Sequence, residues 1–266
     1  MRFKDGFFRR YLQEAPVALA IERSLECMIL SKQAFERPIL DVGCGEGMFA
    51  YVLFDEKLDV GIDPDGRELE RAAQYGMYDE LIRCDGASIA KPAASFRTIL
   101  SNSVLEHIPE IEPVLREAHR LLAPDGRFYV TVPTNLFDRY SVIYQALSAL
   151  GLRGLAESYR VFFNGFWKHY HYHDREGWAR LFGGCGFEVL ASQEYCPRTV
   201  AVLDDASAPL ALPSFVAKKT LNRWFFVPAL RRVSSAFLDP LFRPFVNVRP
   251  GEDAGGIIFF SLRRSA

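Results

Sequence analysis

Residues 39–50, ILDVGCGEGMFA, place Gly43, Gly45 and Gly47 at alternate positions directly after an apolar run, with Asp41 just ahead of them. Glycine removes the side chain and tolerates left-handed backbone, so a ligand can lie against the main chain there. The spacing is G-x-G-x-G. The dinucleotide fingerprint is G-x-G-x-x-G, and Met48 stands where its last glycine would be. Asp41 would repel a pyrophosphate and attract an ammonium group. No G-x-x-x-x-G-K-[ST] occurs, which excludes a phosphate loop of that type. Histidines form a second group. KHYHYHDREGW sets His169, His171 and His173 at alternate positions. In extended backbone they share one face, opposite Tyr170 and Tyr172. Such a set can hold a metal, line the pocket of a second reactant, or simply lead into the helix after Asp174. His107, in SVLEHIPE, is a further candidate base. His119 lies inside a helical stretch and is read as structural.

The elements that must position these residues follow from periodicity. The chain has 266 residues, which predicts one domain, 1–266, with insertions. Its formal net charge of -1 gives no reason to expect nucleic acid as a partner. Cys27, Cys44, Cys84, Cys185 and Cys196 are scattered, with no Cys-x-x-Cys pair, which points to a reducing, cytoplasmic setting. The N-terminus has no apolar stretch of a secretory signal, and no run reaches the roughly 18 apolar residues of a membrane span. Val17, Ile21, Leu25, Met28 and Ile29 mark an amphipathic helix over 16–33. Strands are predicted at 38–42, 58–62, 81–84, 96–101 and 127–132, with helices at 46–54, 67–75 and 111–122 between them. This alternation predicts an α/β fold, a doubly wound parallel sheet with helices on both faces. Asp174 caps a helix over 174–182. FEVLASQEY and GGIIFFSLRR supply the last two strands, which makes seven.

At this point the sequence resembles the class I S-adenosylmethionine-dependent methyltransferases. The resemblance rests on ILDVGCGEG, Asp63 in VGIDPD, Asp85 in IRCDGAS, ILSNSVLEHIPE and LREAHRLLAPDGRFYVTVPT, over about residues 36–133 and more weakly 174–195. It implies a Rossmann-like sheet with an antiparallel last strand and S-adenosyl-L-methionine as cofactor. Asp63, followed by Pro64, would accept the ribose hydroxyls. Asp85 would accept from the adenine amino group, with Gly86 beside it. Asp41 and the Gly43, Cys44 and Gly45 backbone would hold the methionine end, bordered by Asn102 and Ser103. His107, His169 and His171 are the candidate catalytic residues. The Glu-His string also resembles the loop of ubiquinone-pathway O-methyltransferases, which carry a metal-binding Glu-x-x-Glu-His. Here Ser103 replaces the first glutamate, leaving Glu106 and His107, so no metal is expected.

In such a chain the core 36–133 binds the cofactor, and the insertions 134–172 and 197–250 choose the acceptor. The second interleaves Phe, Trp and Leu with Lys218, Lys219, Arg223, Arg231, Arg232 and Arg243, and carries no acid from 210 to 238. Pro228 opens a helix there, with Leu230, Val233, Phe237 and Leu238 on one stripe and Arg231 and Arg232 at its edge. Two readings follow: a helical cover over the acceptor side, and a peripheral membrane contact through 210–246. The expected activity is O-methylation of a small-molecule or lipid-linked metabolite. The alternatives are a degenerate cofactor-binding module serving as partner or scaffold, and a nicotinamide oxidoreductase, which the glycine spacing disfavours.

Overall fold

The computed structural model describes residues 1–221, 223–226, 228–246 and 254–265. Seven strands, β1 (Ile39–Val42), β2 (Leu58–Asp63), β3 (Tyr78–Arg83), β4 (Phe96–Asn102), β5 (Leu122–Pro133), β6 (Phe187–Pro197) and β7 (Gly255–Arg264), form one sheet. Its order is β3-β2-β1-β4-β5-β7-β6. The first five strands run parallel, and β7 pairs antiparallel with both β5 and β6. This is the expected Rossmann-like topology. Alternation along β1 puts Ile39 on one face, in the core that holds Leu25 and Leu30. Leu40 and Val42 point into the opposite core, with Leu115 and Trp178.

Eleven helices surround the sheet among the described residues. They are α1 (Phe7–Glu14), α2 (Val17–Leu30), α3 (Met48–Leu53), α4 (Gly66–Tyr75), α5 (Ile111–Leu121), α6 (Val142–Ala149), α7 (Arg153–Trp167), α8 (Arg175–Gly184), α9 (Arg198–Ser207), α10 (Leu212–Leu221) and α11 (Pro228–Val246). Asp174 caps α8 as predicted, accepting from the Gly177 N–H at 2.7 Å. Helix α3 starts later than expected, because Gly47 has φ 77° and acts as its N-cap. Strand β3 starts earlier, at Tyr78. The periodicity argument gives no sign of α1, since eight residues make barely two turns. Helices α6 and α7 form within the insertion 134–172, for which no element was assigned from the sequence.

Among the described residues of the second insertion, α9, α10 and α11 form, and part of the segment joins the core. Val200, Ala201 and Val246 are buried in the same cluster as α1 and α2. Arg231 was expected on a basic flank. It is half-buried instead: its guanidinium donates to the carbonyls of Leu12 at 2.5 Å and Ala15 at 2.7 Å and lies over the Phe225 ring. Leu238 turns toward the core, whereas Val233 and Phe237 face out, so the predicted single stripe is split over two faces. Residues 247–250 of the insertion, and the side chains of Leu230 and Arg232, lie outside the described residues.

Candidate active site

The strand order reverses between β1 and β4, and ligands of doubly wound sheets bind beyond the strand ends at such a point. A cavity of about 470 Å³ lies there. The turn after β1 forms its floor. Gly43, Gly45 and Gly47 all have positive φ. A Cβ on Gly43 would lie 2.4 Å from Val104, in the loop after β4, so the two loops meet through a missing side chain. Nothing lies within 4 Å of the position a Gly45 Cβ would take, so that glycine is open to the cavity. The loop is tied to β2. Gly43 and Cys44 N–H groups both donate to the Ile62 carbonyl at 2.9 Å. The Gly45 N–H donates to Asp63 Oδ2 at 3.0 Å, and the Asp65 N–H to Asp63 Oδ1 at 2.8 Å. Cys44 lines the cavity with its thiol pushed up by burial and by Asp41, so it is no nucleophile.

The other predicted binding residues divide into groups. Asn102 and Ser103 line the cavity, but their side chains are engaged behind it. Asn102 Nδ2 donates to Glu26 Oε2 at 2.6 Å, and the Ser103 hydroxyl donates to Glu26 Oε1 at 2.8 Å. Ser103 has φ 51°, a strained conformation for a non-glycine residue. Asp63 is the last residue of β2, Pro64 follows it, and Asp85 and Gly86 follow the end of β3; none of the four lines the cavity. Asp85 is exposed and accepts from the Ala87 N–H at 3.0 Å. Asp41, expected beside the methionine end, is buried, accepts from the Tyr78 hydroxyl at 2.7 Å and does not line the cavity. Burial pushes its carboxyl up to about 7.

Glu46, within the glycine loop, lines the cavity and was missed. Burial pushes its carboxyl up, yet three donors from different elements reach it. They are Arg71 of α4, Lys218 Nζ of α10 at 2.7 Å and Trp224 Nε1 at 2.5 Å. Lys218 also pairs with Glu68 at 3.1 Å. The expected outward basic face therefore loses Lys218, which points to the glycine loop.

Helix α2 supplies charged groups from between its apolar positions. Glu22 and Arg23 line the cavity, and Glu26 is fully buried behind them. The Arg23 guanidinium lies 2.9 Å from both Glu26 oxygens and 3.6 Å from Glu22. Burial opposes its charge, but the two glutamates outweigh that and hold it protonated. Glu106, 3% exposed, has an oxygen with no hydrogen-bond partner. Burial raises its carboxyl to about 8. Charged side chains in an otherwise apolar helix were the signal available in the sequence.

The opposite wall carries Phe137, Phe163, Trp167, Phe215 and two histidines. His107 and His169 pack with ring centres 5.2 Å apart and ring planes tilted by 37°. Burial and the His107 ring lower His169 to about 4, and burial lowers His107. Both are neutral at physiological pH. His169 Nδ1 lies 3.3 Å from Asn164 Oδ1. Asn164 Nδ2 donates to Asp138 Oδ2 at 2.6 Å, and Arg160 holds Asp138 at 2.9 Å. The amide is thus fixed with its oxygen toward the imidazole. His169 donates from Nδ1 and keeps its Nε2 lone pair. His171 is not brought to the cavity: its Nε2 lies 3.0 Å from the Ile108 carbonyl. His173 stacks edge-on against Trp178. The alternating strand of three histidines does not form, and no group of three His, Cys, Asp or Glu side chains suited to a metal occurs among the described residues.

Comparison with known proteins adds to this geometry. A family model described as a methyltransferase domain matches residues 8–192. The chain is 26% identical over 210 residues to the sterol 24-C-methyltransferase of Aspergillus fumigatus, covering 73% of this chain and 52% of that one. It is 31% identical over 108 residues to the ubiquinone biosynthesis O-methyltransferase of Salmonella paratyphi A, covering 38% and 45%. The chain spans about half the length of these curated relatives. Among solved structures, geranyl diphosphate C-methyltransferase of Streptomyces coelicolor is similar at 11% identity, with TM-score 0.55 over 93% of this chain and 84% of that one. A possible histamine N-methyltransferase of Thermotoga maritima has TM-score 0.54 at 16% identity, over 92% and 89%. At such identities the likeness is one of fold.

Proposed function

From the premise that this chain belongs to the methyltransferase-domain family, whose model matches residues 8–192, we propose that it methylates an oxygen of an apolar small molecule. S-adenosylmethionine is the cofactor, and it supplies an activated methyl group on a sulfonium for in-line displacement. The residues present fit it. Open space above Gly45 leaves room for a ligand against the backbone. Arg23 is a half-buried cation for its carboxylate, and Glu22 and the unpartnered Glu106 oxygen suit its ammonium. Asp63 and Asp85 stand at adjacent strand ends where its ribose and adenine would lie.

The reading of an oxygen acceptor rests on one observation: the His169 ring is oriented by Asn164 and forms part of an aromatic cavity wall. A hydroxyl acceptor must lose its proton as its oxygen takes the methyl group. Nε2 of His169 can receive that proton, while Asn164 holds the ring and Asp138 with Arg160 holds Asn164. Phe137, Phe163 and Trp167 exclude water and favour an apolar acceptor. Arg23 and the glycine loop hold the other reactant in register.

Labelled cofactor incubated with fractionated cell extract, followed by identification of the labelled product, tests the class. Label on a carbon or a nitrogen would overturn the oxygen reading. His169→Ala should lower kcat by about 100- to 10,000-fold without weakening cofactor binding. An unchanged kcat in the folded variant would remove the base from the scheme.

A further inference from the structure

The large apolar side chains that face out are not scattered. Among the described residues, every one except Leu190 lies within the two late insertions. The exposed large apolar side chains therefore belong to α6, α7, α10 and α11 and their connections.

Helices α7 and α10 meet at the cavity rim, where the Trp167 and Phe215 rings lie 6.3 Å apart. These two residues line the cavity and are still 39% and 40% exposed. Each helix therefore has two apolar faces. On α7, Phe163 faces inward while Phe162 and Phe166 face out at 64% and 66% exposure. On α10, Ser214 and Ala217 are buried while Leu212 and Val216 are exposed. The helical run 198–221 has a mean hydropathy of 1.3 over its most apolar window, and only 33% of that window is buried. Its inward face is the cavity wall, through Ala201 and Ala211. A helix that seals a cavity with one face and shows apolar residues on the other lies along a surface and does not cross it.

Charge selects the occupant. Lys168 at the end of α7 and Lys219 on α10 are exposed and have no ion pair among the described residues. No acid occurs from 210 to 238. The one carboxylate on α7, Glu157, is held by Arg160 at 2.7 Å. A second copy of the chain would have to meet the same face, placing lysines against lysines with no acid between them. An anionic lipid surface answers both the apolar residues and the lysines.

We infer that the α7–α10 rim docks on an anionic bilayer and admits a lipid-borne acceptor to the cavity between Trp167 and Phe215. The lipid nature of the acceptor rests on the methyl-transfer reading above; the docking does not.

The test is co-sedimentation with vesicles of phosphatidylcholine alone and of phosphatidylcholine mixed with phosphatidylglycerol. The protein is expected to bind the mixed vesicles at least about tenfold better, and to lose most of that preference in high salt or in Lys168→Ala with Lys219→Ala. Phe162→Glu with Phe166→Glu, or Leu212→Glu with Val216→Glu, should abolish binding while calorimetric affinity for the cofactor stays unchanged. If the glutamates disturb folding, the lysine pair and the salt dependence carry the test. A protein that stays in the supernatant with anionic vesicles overturns the inference. So does vesicle binding indifferent to these variants, and so does a dimer in sedimentation equilibrium that the same variants break. Vesicle binding is read without methyl transfer. Its failure leaves the proposed activity standing, and a vesicle-binding protein that transfers no methyl group would count against the activity alone.

Discussion

Asp63 holds two backbone N–H groups with one carboxylate. Its oxygens accept the backbone N–H groups of Gly45 and Asp65, which fixes the glycine loop against the end of β2. Each oxygen retains a further lone pair for a ligand hydroxyl. Asp63→Ala should therefore weaken cofactor binding by about 1.5–3 kcal/mol, through lost ligand contacts and a loosened loop. Calorimetry on the folded variant reads this, and unchanged affinity would refute the assignment. Glu106 makes a different prediction. Its folded pKa of about 8 lies above its ordinary value of 4.5. Between those values the unfolded chain releases the proton and the folded chain keeps it, so this carboxyl makes the fold less stable as pH rises through that window. The sign follows from a raised acid: its contribution is most favourable below the ordinary value and is lost on approach to pH 8. Glu106→Gln mimics the protonated form. Without cofactor, its melting temperature should match the parent near pH 4.5 and exceed it near pH 8, with the difference growing by at most about 1.4 kcal/mol per pH unit. Equal melting curves across that range would show that Glu106 ionises normally.

The elements show where sequence reasoning succeeds and where it stops. Strands β1, β2, β4 and β7 and helices α2, α4, α5 and α8 were legible because each carries an apolar run or an apolar stripe of the right period, and α4 and α8 also carry Asp65 and Asp174 as caps. The meeting of Gly43 with Val104 was not legible, since it joins loops sixty-one residues apart. Helix α2 is the instructive miss. Its stripe of Val17, Ile21, Leu25 and Ile29 was legible, and nothing was read from Glu22, Arg23 and Glu26 between them. Periodicity reports that a face is polar; it cannot say whether water or a cavity lies against it. Lys218 fails for the same reason. It was read as surface charge, and it spans from the cover to Glu46 and Glu68. That contact predicts a latch. Lys218→Met keeps the aliphatic stem and removes the bridging charge, leaving Glu46 with Arg71 and Trp224. Amide exchange in α10 should become faster, and KM for the acceptor should rise more than the affinity for cofactor falls. Unaltered exchange in α10 would show that apolar packing alone holds the cover.

On the scale of the whole molecule, the cover enters and leaves the sheet at one place. It departs after Pro197 and returns at Gly255, and these two residues are paired neighbours on β6 and β7. Its end-to-end distance is therefore fixed at a single strand spacing, whatever lies between. Extending a five-residue hairpin to about sixty residues adds only about 2 kcal/mol of closure entropy. Chain length in the segment is thus nearly free to vary, while its content is not, because Val200, Ala201 and Val246 complete the core beside α1 and α2. Simple excision should for that reason yield a protein that melts well below the parent, measurable by calorimetry. Exchange is another matter. The Pro197–Gly255 junction behaves as a socket of standard width, and a segment from another member of the family that refills those three buried positions should seat in it. Such a chimera should keep the cofactor affinity of this chain and take its acceptor preference from the donor. One that kept the parent's preference would locate selectivity in α6 and α7 instead.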